Sequence, residues 1–407
     1  LPVSTWVEVD LDRFHANLDA IQALIGPDRG ILLVAKADAY GHGAREMAAA
    51  AEAHGVGQLG VATLHEGLQL RLAGIRLPIV CLSPLLPAEI DDAVANAIDP
   101  TVGDEDFARE LSAAATRAGK PVRFHVEIDT GMGRIGVREE HAEAFLASVA
   151  ALPGLRLASV YTHFPDADGP DLDFARGQVA RFGALIERLT ARGLQPPRVH
   201  AANSAGTLNL PGARLDWVRP GLVAYGVHPP RDESRPDVRP VMSLRSRLVQ
   251  VRELPAGASV SYGRTFTTAR KSCIGVVPIG YGHGYSWLLS NRGQMLLAGR
   301  RVPIVGRVTM DLTMVDVSDV PGAAVGDEVV LFGEQGAAAI AVEEVAAWSE
   351  TLPYEVMCTI GKRVPRIYRR EGRAVHMTTL VGERAEWTRA ADDYLRRRAA
   401  DALPASS

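Results

Sequence analysis

Apolar residues recur along the chain in two patterns, and the change from one to the other falls near residue 235. Residues 1–10 (LPVSTWVEVD) alternate as in a short strand. Residues 11–25 then space their apolar positions for an amphipathic helix, with Asp10 in place to cap it. After these, one unit repeats: a short β-rich run, a turn, and an apolar-periodic helix. The runs are ILLVAKA (31–37), QLGVAT (58–63), IVCLS (79–83), AIDPTV (97–102), RFHVEIDT (123–130), LASVYTHF (157–164), RVHAANS (198–204) and DWVRPG (216–221). Segments between them, such as 44–55 and 140–152, read as helices. Strands that alternate with helices form parallel sheets, and eight such units fit a closed (β/α)8 TIM-like barrel. An open dinucleotide-type sheet is disfavoured because no GxGxxG follows the first run.

Beyond the Pro- and charge-rich stretch PPRDESRPDVRP (229–240) the texture is different. Short alternating runs and Gly turns (SLRSRLVQVREL, KSCIGVVPIG, RRVPIVGRVTM, DLTMVDVS, DEVVLFG) predict a mainly-β second domain. The division expected is a barrel over 1–235, a β-rich domain over 236–372 and a helical tail over 373–407. Within the tail, 383–403 has the spacing of an Arg-rich amphipathic helix with Trp387, Ala391, Tyr394 and Leu395 on one face, read as a docked or frayed terminal helix ahead of a partner-binding element.

Composition narrows the function classes. The net charge is −4 and no basic run occurs, which argues against nucleic acid as a partner. No run of eighteen apolar residues predicts a membrane span, and no secretory signal is visible. Cys81, Cys273 and Cys358 are odd in number and widely spaced, which fits reduced cytoplasmic thiols and neither a disulfide framework nor a metal site. Of 44 cationic residues only Lys36, Lys120, Lys271 and Lys362 are lysines. Where positive charge suffices, the chain uses Arg. A lysine therefore draws attention as a place where an amine that can lose its proton is required.

Chemistry in a barrel collects where strands end. The first run ends in VAKADAYGHG, with Lys36 between apolar residues and followed by Asp38 and Tyr40. A desolvated lysine is a good amine for a Schiff base. The fifth run leads into EIDTGMGR and Arg134, the sixth brings His163, the seventh Asn203 and Ser204 ahead of a helix start, and the eighth Arg219 and Gly221. A lysine, two arginines, a histidine and a phosphate-type loop around one mouth suit pyridoxal phosphate, an aldehyde cofactor anchored by a lysine.

With VAKADAYGHG, DTGMGRIG, YTHF, HAANSAG, VRPG, SYGRTF, PIGYGHGY, GRVTMD and PYEVMCTIGKRVPRIY in this order, the chain resembles the alanine racemases over about residues 4–370. The resemblance implies a pyridoxal phosphate-dependent racemase that supplies D-alanine for peptidoglycan, working as a homodimer with shared active sites. It makes Lys36 the Schiff-base lysine and one of two catalytic bases, and Tyr262 of the partner subunit the other. Tyr40, Ser204, Gly221, Leu222 and Tyr354 match the phosphate cradle, with Asn203 beside it. Arg219 matches the arginine facing the pyridine nitrogen, which keeps that nitrogen unprotonated. Arg134 matches the arginine on the substrate carboxylate. Met310 and Asp311 match a pair lining the site, His163 the histidine between Tyr262 and Arg219, and Tyr161 and Tyr281 tyrosines of the pocket and its mouth.

Three positions depart from the family pattern. Glu127 stands where many relatives have a carbamylated lysine, His283 where Asp is usual, and Pro165 where a small residue is usual. Leu352 and Tyr354, which limit pocket size in the family, favour alanine as substrate. The alternative is a serine or broad-specificity racemase on the same scaffold.

Overall fold

The structure is a computed structural model and describes residues 3–231, 234, 236–383, 389, 392–394 and 396–397. Two compact units form: His15–Arg239, and a second unit built from the first fourteen residues together with the chain from Pro240 onward.

Strands β1 (Thr5–Asp10), β2 (Gly30–Val34), β3 (Gln58–Val61), β4 (Ile79–Cys81), β5 (Ile98–Pro100), β6 (Val122–Asp129), β7 (Val137–Arg138), β8 (Leu155–Tyr161), β9 (Val199–His200) and β10 (Trp217–Val218) appear in chain order. In the first unit the sheet runs β5-β4-β3-β2-β10-β9-β8-β6-β7, with every neighbouring pair parallel. A parallel bridge from Thr101 to His125 joins the β5 and β6 edges and closes the barrel. All eight expected runs are strands of it. Its strands bury residues such as Leu32, Leu59, Val80, Phe124, Val126 and Val160.

Observed strands stop earlier than their sequence runs at the carboxyl end. Residues 35–37, 162–164, 201–204 and 219–221 continue the apolar or β-branched runs before them in sequence, yet they leave the ladder as loops or helix starts. These loops carry the candidate chemistry. Helices between strands are stopped and started by identifiable groups. Asp10 Oδ1 accepts the N–H groups of Asp12 and Arg13. Thr63 and Glu66 form a reciprocal capping box, and Asp104 caps Glu105–Ala118 through the Phe107 N–H at 2.8 Å.

The second unit is mainly β, as expected. Its larger sheet includes β1, which pairs antiparallel with Met242–Arg247 and parallel with Arg366–Arg370. The sequence-based division at 235 therefore differs from the observed one, because β1 finds its ladder partners in residues more than 230 positions away. At its centre Arg245 lies 3.2 Å from Glu8 and 2.7 Å from Glu328, and Arg245 and Glu8 are both buried. The tail also differs from the expected helix at its start. Arg373–Thr379 is a strand paired with Arg366–Arg370, because its alternating residues extend that ladder. Trp387, Ala391 and Leu395 lie outside the described residues. Tyr394 packs edge-on against Trp6 with ring centroids 5.4 Å apart, and the Arg247 guanidinium lies 4.8 Å from its ring.

Candidate active site

Lys36 begins the turn that follows β2. The next four residues, Ala37, Asp38, Ala39 and Tyr40, hold φ between 52° and 55°, a left-handed turn without glycine. Such residues cost about 1–2 kcal/mol each and persist only where neighbours fix them. Glu66 Oε1 accepts the Ala37 N–H at 2.7 Å, Asp38 Oδ1 accepts the Ala44 N–H at 2.8 Å, and Gly41 (φ 79°) closes the turn through Ala37 O at 3.0 Å. The turn leaves the Lys36 side chain half-buried and buries Tyr40. The Tyr40 ring packs 5.2 Å from that of Tyr225, whose hydroxyl donates to Val34 O.

Tyr40 meets the loops that follow β9 and β10. A Cβ on Gly221 would sit 2.5 Å from Tyr40 Oη, so only glycine permits this approach. Ser204 Oγ accepts the Gly221 N–H at 3.0 Å and the Val223 N–H at 3.4 Å. Both of its lone pairs are used, which leaves its proton to donate outward. Leu222 opens a short 3-10 turn beside it. Asn203 Oδ1 accepts the Gly206 N–H at 2.8 Å and its amide faces Phe164 O, so this side chain is engaged as the helix cap.

Arg219 is 3% exposed. Its Nη1 donates to His200 Nδ1 at 2.7 Å, and Nη2 donates to Thr162 O at 2.7 Å, Ala201 O at 2.9 Å and His163 Nδ1 at 3.2 Å. Its Nε has no protein partner among the described residues. Burial, with the charges of Arg219, Arg134 and Lys36, holds His163 down to about 3, so its imidazole is neutral. Because Nδ1 accepts from Arg219, the His163 proton resides on Nε2.

Arg134 is exposed on the loop after β6. Asp129 Oδ1 gathers that loop by accepting the N–H groups of Gly131 at 2.9 Å and Gly133 at 3.0 Å. Gly136 (φ 96°) lies where a Cβ would come 2.7 Å from Glu127 O. The Glu127 carboxyl is buried, forms no ion pair with Arg134, and its Oε1 has no hydrogen-bond partner among the described residues. Burial pushes it up, against the pull of Arg219, the Tyr161 hydroxyl and Arg134. Glu127 thus acts electrostatically on Arg219 before Arg134. Tyr161 lies beneath the Arg219 guanidinium, 5.1 Å from its carbon, and its hydroxyl is 3.1 Å from Thr101 Oγ1.

The second unit carries the other expected residues. Ser261, at φ 66°, turns the chain so that Tyr262 is 74% exposed, and Ser261 Oγ donates to Arg307 O at 2.7 Å. Tyr281 N–H donates to Thr309 O at 3.0 Å and Gly282 N–H to Met310 O at 2.9 Å. Asp311 pairs with Arg363 at 2.8 Å. Tyr281, Met310 and Asp311 therefore cluster. The His283 imidazole, lowered by burial and by Arg363, accepts the Gly280 N–H at 3.3 Å. Tyr354 and Leu352 sit at the start of the helix Pro353–Cys358. Pro165 is exposed just after the His163 loop.

Sequence reasoning missed His200, Glu66 and Tyr225. The Thr63–Glu66 capping spacing was a visible signal for Glu66. His200 ends a strand one residue before the loop that carries Asn203, which could have marked it. Among the described residues no cluster of three metal-ligating side chains occurs, and no helix is long and apolar enough to cross a membrane.

The family model for the N-terminal domain of alanine racemase matches residues 9–229, and that for the C-terminal domain matches 241–368. Alanine racemase of Desulfovibrio desulfuricans is 46% identical over 364 residues, spanning 89% of this chain and 97% of that protein. The solved alanine racemase of Bacillus anthracis with bound L-Ala-P is 37% identical at a TM-score of 0.86, covering 93% of this chain and 98% of the other. That of Bartonella henselae, with covalently bound pyridoxal phosphate, is 26% identical at a TM-score of 0.81, covering 90% of this chain and all (100%) of the other. These matches cover both units, and the chain belongs to the alanine racemase family of isomerases.

Proposed function

We propose that this chain interconverts L- and D-alanine with pyridoxal 5'-phosphate held on Lys36, using Lys36 and the partner's Tyr262 as two bases in a homodimer. The observation that carries the reading is the convergence of Lys36, Tyr40, Ser204, Gly221, Arg219 and His163 at the carboxyl ends of barrel strands. The donor set fits the cofactor. Tyr40 and Ser204 present hydroxyls at a gap that a Gly221 Cβ would fill, suited to a phosphate. Arg219 has both Nη groups engaged within the protein, which leaves Nε as the donor it can offer the cofactor. Leu222 and Tyr354 are assigned to the same cradle on family grounds.

Pyridoxal phosphate supplies the electron sink that acidifies the amino acid's α-proton. Arg219, assigned to the ring nitrogen on family grounds, would leave that nitrogen unprotonated, because a guanidinium does not give up its proton. That would limit the sink and disfavour stray transamination. Racemisation takes the proton from one face and returns one to the other. Lys36 Nζ serves one face and the partner's Tyr262 the opposite one. A free tyrosine titrates near pKa ~10 and needs help to act as a base. His163, neutral with its proton on Nε2, can donate to that phenolate oxygen, while Arg219 adds positive charge behind it. Arg134 and Met310 are assigned to the substrate. D-alanine for peptidoglycan, made in the cytoplasm, is the role this activity serves. The test is racemisation of an L-amino-acid panel by the cofactor-loaded chain. Alanine should exceed serine in kcat/KM. Equal rates favour the broad-specificity reading, and no turnover of either rejects both.

A further inference from the structure

Beneath Arg219, a single file of buried polar groups crosses the barrel interior. Arg219 Nη1 donates to His200 Nδ1 at 2.7 Å, His200 Nε2 lies 2.9 Å from Ser159 Oγ, and Ser159 Oγ lies 2.6 Å from His125 Nδ1. His125 Nε2 faces Asp99 Oδ2 at 3.6 Å, and that carboxylate also faces Arg123 at 3.1 Å. From Arg219 to Asp99 no member is more than 8% exposed. No position in this file other than Arg219 was singled out by sequence pattern.

The directions of the Arg219–His200 and His200–Ser159 hydrogen bonds follow from elementary donor counts. A guanidinium only donates, so His200 Nδ1 must accept. A neutral imidazole has one N–H, so the His200 proton is on Nε2 and goes to Ser159. Ser159, accepting there, keeps one proton, and the arrangement that complements the Asp99 charge gives it to His125 Nδ1. In that arrangement His125 carries its own proton on Nε2, facing the Asp99 carboxylate across 3.6 Å, beyond hydrogen-bond length. Burial and the Arg219 charge push His200 well below the usual imidazole range, in keeping with a neutral ring. The file runs one way, from the site to a buried anion. The opposite His200 tautomer would set two donors against each other across 2.7 Å.

We propose that Ser159 is a positioning residue for racemisation: Arg219 sets His200 as the Nε2–H tautomer, and the Ser159 hydroxyl, by accepting that proton, holds the imidazole so that Nδ1 stays aimed at the Arg219 guanidinium. The role of Arg219 rests on the function proposed above; the anchoring of the His200 ring by Ser159 does not. Removing the hydroxyl strands His200 Nε2–H in a buried space, and the ring turns to find another partner, which loosens its hydrogen bond with Arg219.

The test uses the full chain loaded with pyridoxal phosphate and labelled with 15N-histidine. In the wild type, ring-nitrogen shifts should place the protons of His200 and His125 on Nε2. In Ser159→Ala, the His200 Nε2–H signal should move and broaden as its hydrogen bond is lost. The kcat for alanine should fall about tenfold, the size of one lost hydrogen bond to a charged group. KM should change less than twofold, and pyruvate formed per turnover should rise. A proton on Nδ1 of either wild-type histidine overturns the proposal without any variant. So does a Ser159→Ala enzyme with an unchanged His200 ring signal and unchanged kcat. If the wild type does not racemise alanine, the proposed function fails while the comparison of ring-nitrogen signals still decides the relay.

Discussion

Gly221→Ala isolates the contact on which the phosphate cradle depends. The added Cβ would lie 2.5 Å from Tyr40 Oη, 3.0 Å from Cζ and 3.2 Å from Cε2. Tyr40 cannot easily retreat. Its backbone is in the left-handed turn at φ 52°, and its ring is backed by Tyr225 at 5.2 Å. Overpacking of this kind costs about 1–3 kcal/mol. Displacing the Tyr40 hydroxyl from a bound phosphate removes a hydrogen bond to a charged group, worth about 1.5–3 kcal/mol. Cofactor affinity should therefore fall by about 10- to 150-fold. Absorbance titration of the cofactor-free chain with pyridoxal phosphate measures this directly. Gly183→Ala is the control, because nothing lies within 4 Å of that Cβ, and it should bind the cofactor as the wild type does. Wild-type affinity in Gly221→Ala would refute the cradle.

Three further substitutions probe other links. Gly136→Ala forces a Cβ at φ 96° to within 2.7 Å of Glu127 O, so the Arg134 loop must move. KM for alanine should rise about tenfold, at a transition-state cost of about 1.4 kcal/mol, and an unchanged KM would show that this loop does not hold substrate. His163 is held down to about 3 in the folded chain, against about 6.5 when unfolded. As pH falls below 6.5 the unfolded state takes up a proton that the folded state refuses, so stability is lost over the window from 6.5 to about 3. His163→Gln should lose about 2 kcal/mol less than the wild type between pH 7 and pH 5 in urea melts of the cofactor-free chain. Parallel losses would show that His163 is not held neutral. In the second unit, Arg245→Leu leaves the buried Glu8 without its 3.2 Å partner and should destabilise by about 3 kcal/mol in denaturant unfolding. No change would mean that Arg369, 3.5 Å from Glu8, carries the pairing alone.

The repeating part of the fold was legible because a buried parallel strand writes a short apolar run and its helix a 3.6-residue period. All eight barrel strands follow from that contrast. Strand ends were overextended, since Ala35, Thr162 and Ala201 are as apolar or β-branched as true ladder residues while geometry sends them into loops. The pairing of β1 with residues near 242 and 366 was not legible, because a single alternating strand carries no record of its neighbours. The site divides in the same way. Lys36 stood out because lysine is scarce, and Arg134, His163 and Arg219 because they sit where runs end. The Asp99–His125–Ser159–His200 file gave no signal, since each member alternates into the barrel interior from a different strand and only closure brings them together. Glu127 stood out in sequence as a departure from the family pattern, but its burial, which makes Arg219 its stronger electrostatic partner, is a property of the closed barrel.

The central claim is that Lys36 of one chain works with the partner's Tyr262, and mixing two dead enzymes tests it. Lys36→Ala and Tyr262→Ala, each cofactor-loaded and inactive alone, are dissociated, combined in equal amounts and reassociated. If the two bases come from different chains, half of the dimers are hybrids and each hybrid has one intact site. Alanine racemisation should then return to about a quarter of the wild-type rate. If both bases come from the same chain, no hybrid has an intact site, and a mixture that stays inactive after verified exchange of subunits would contradict the account.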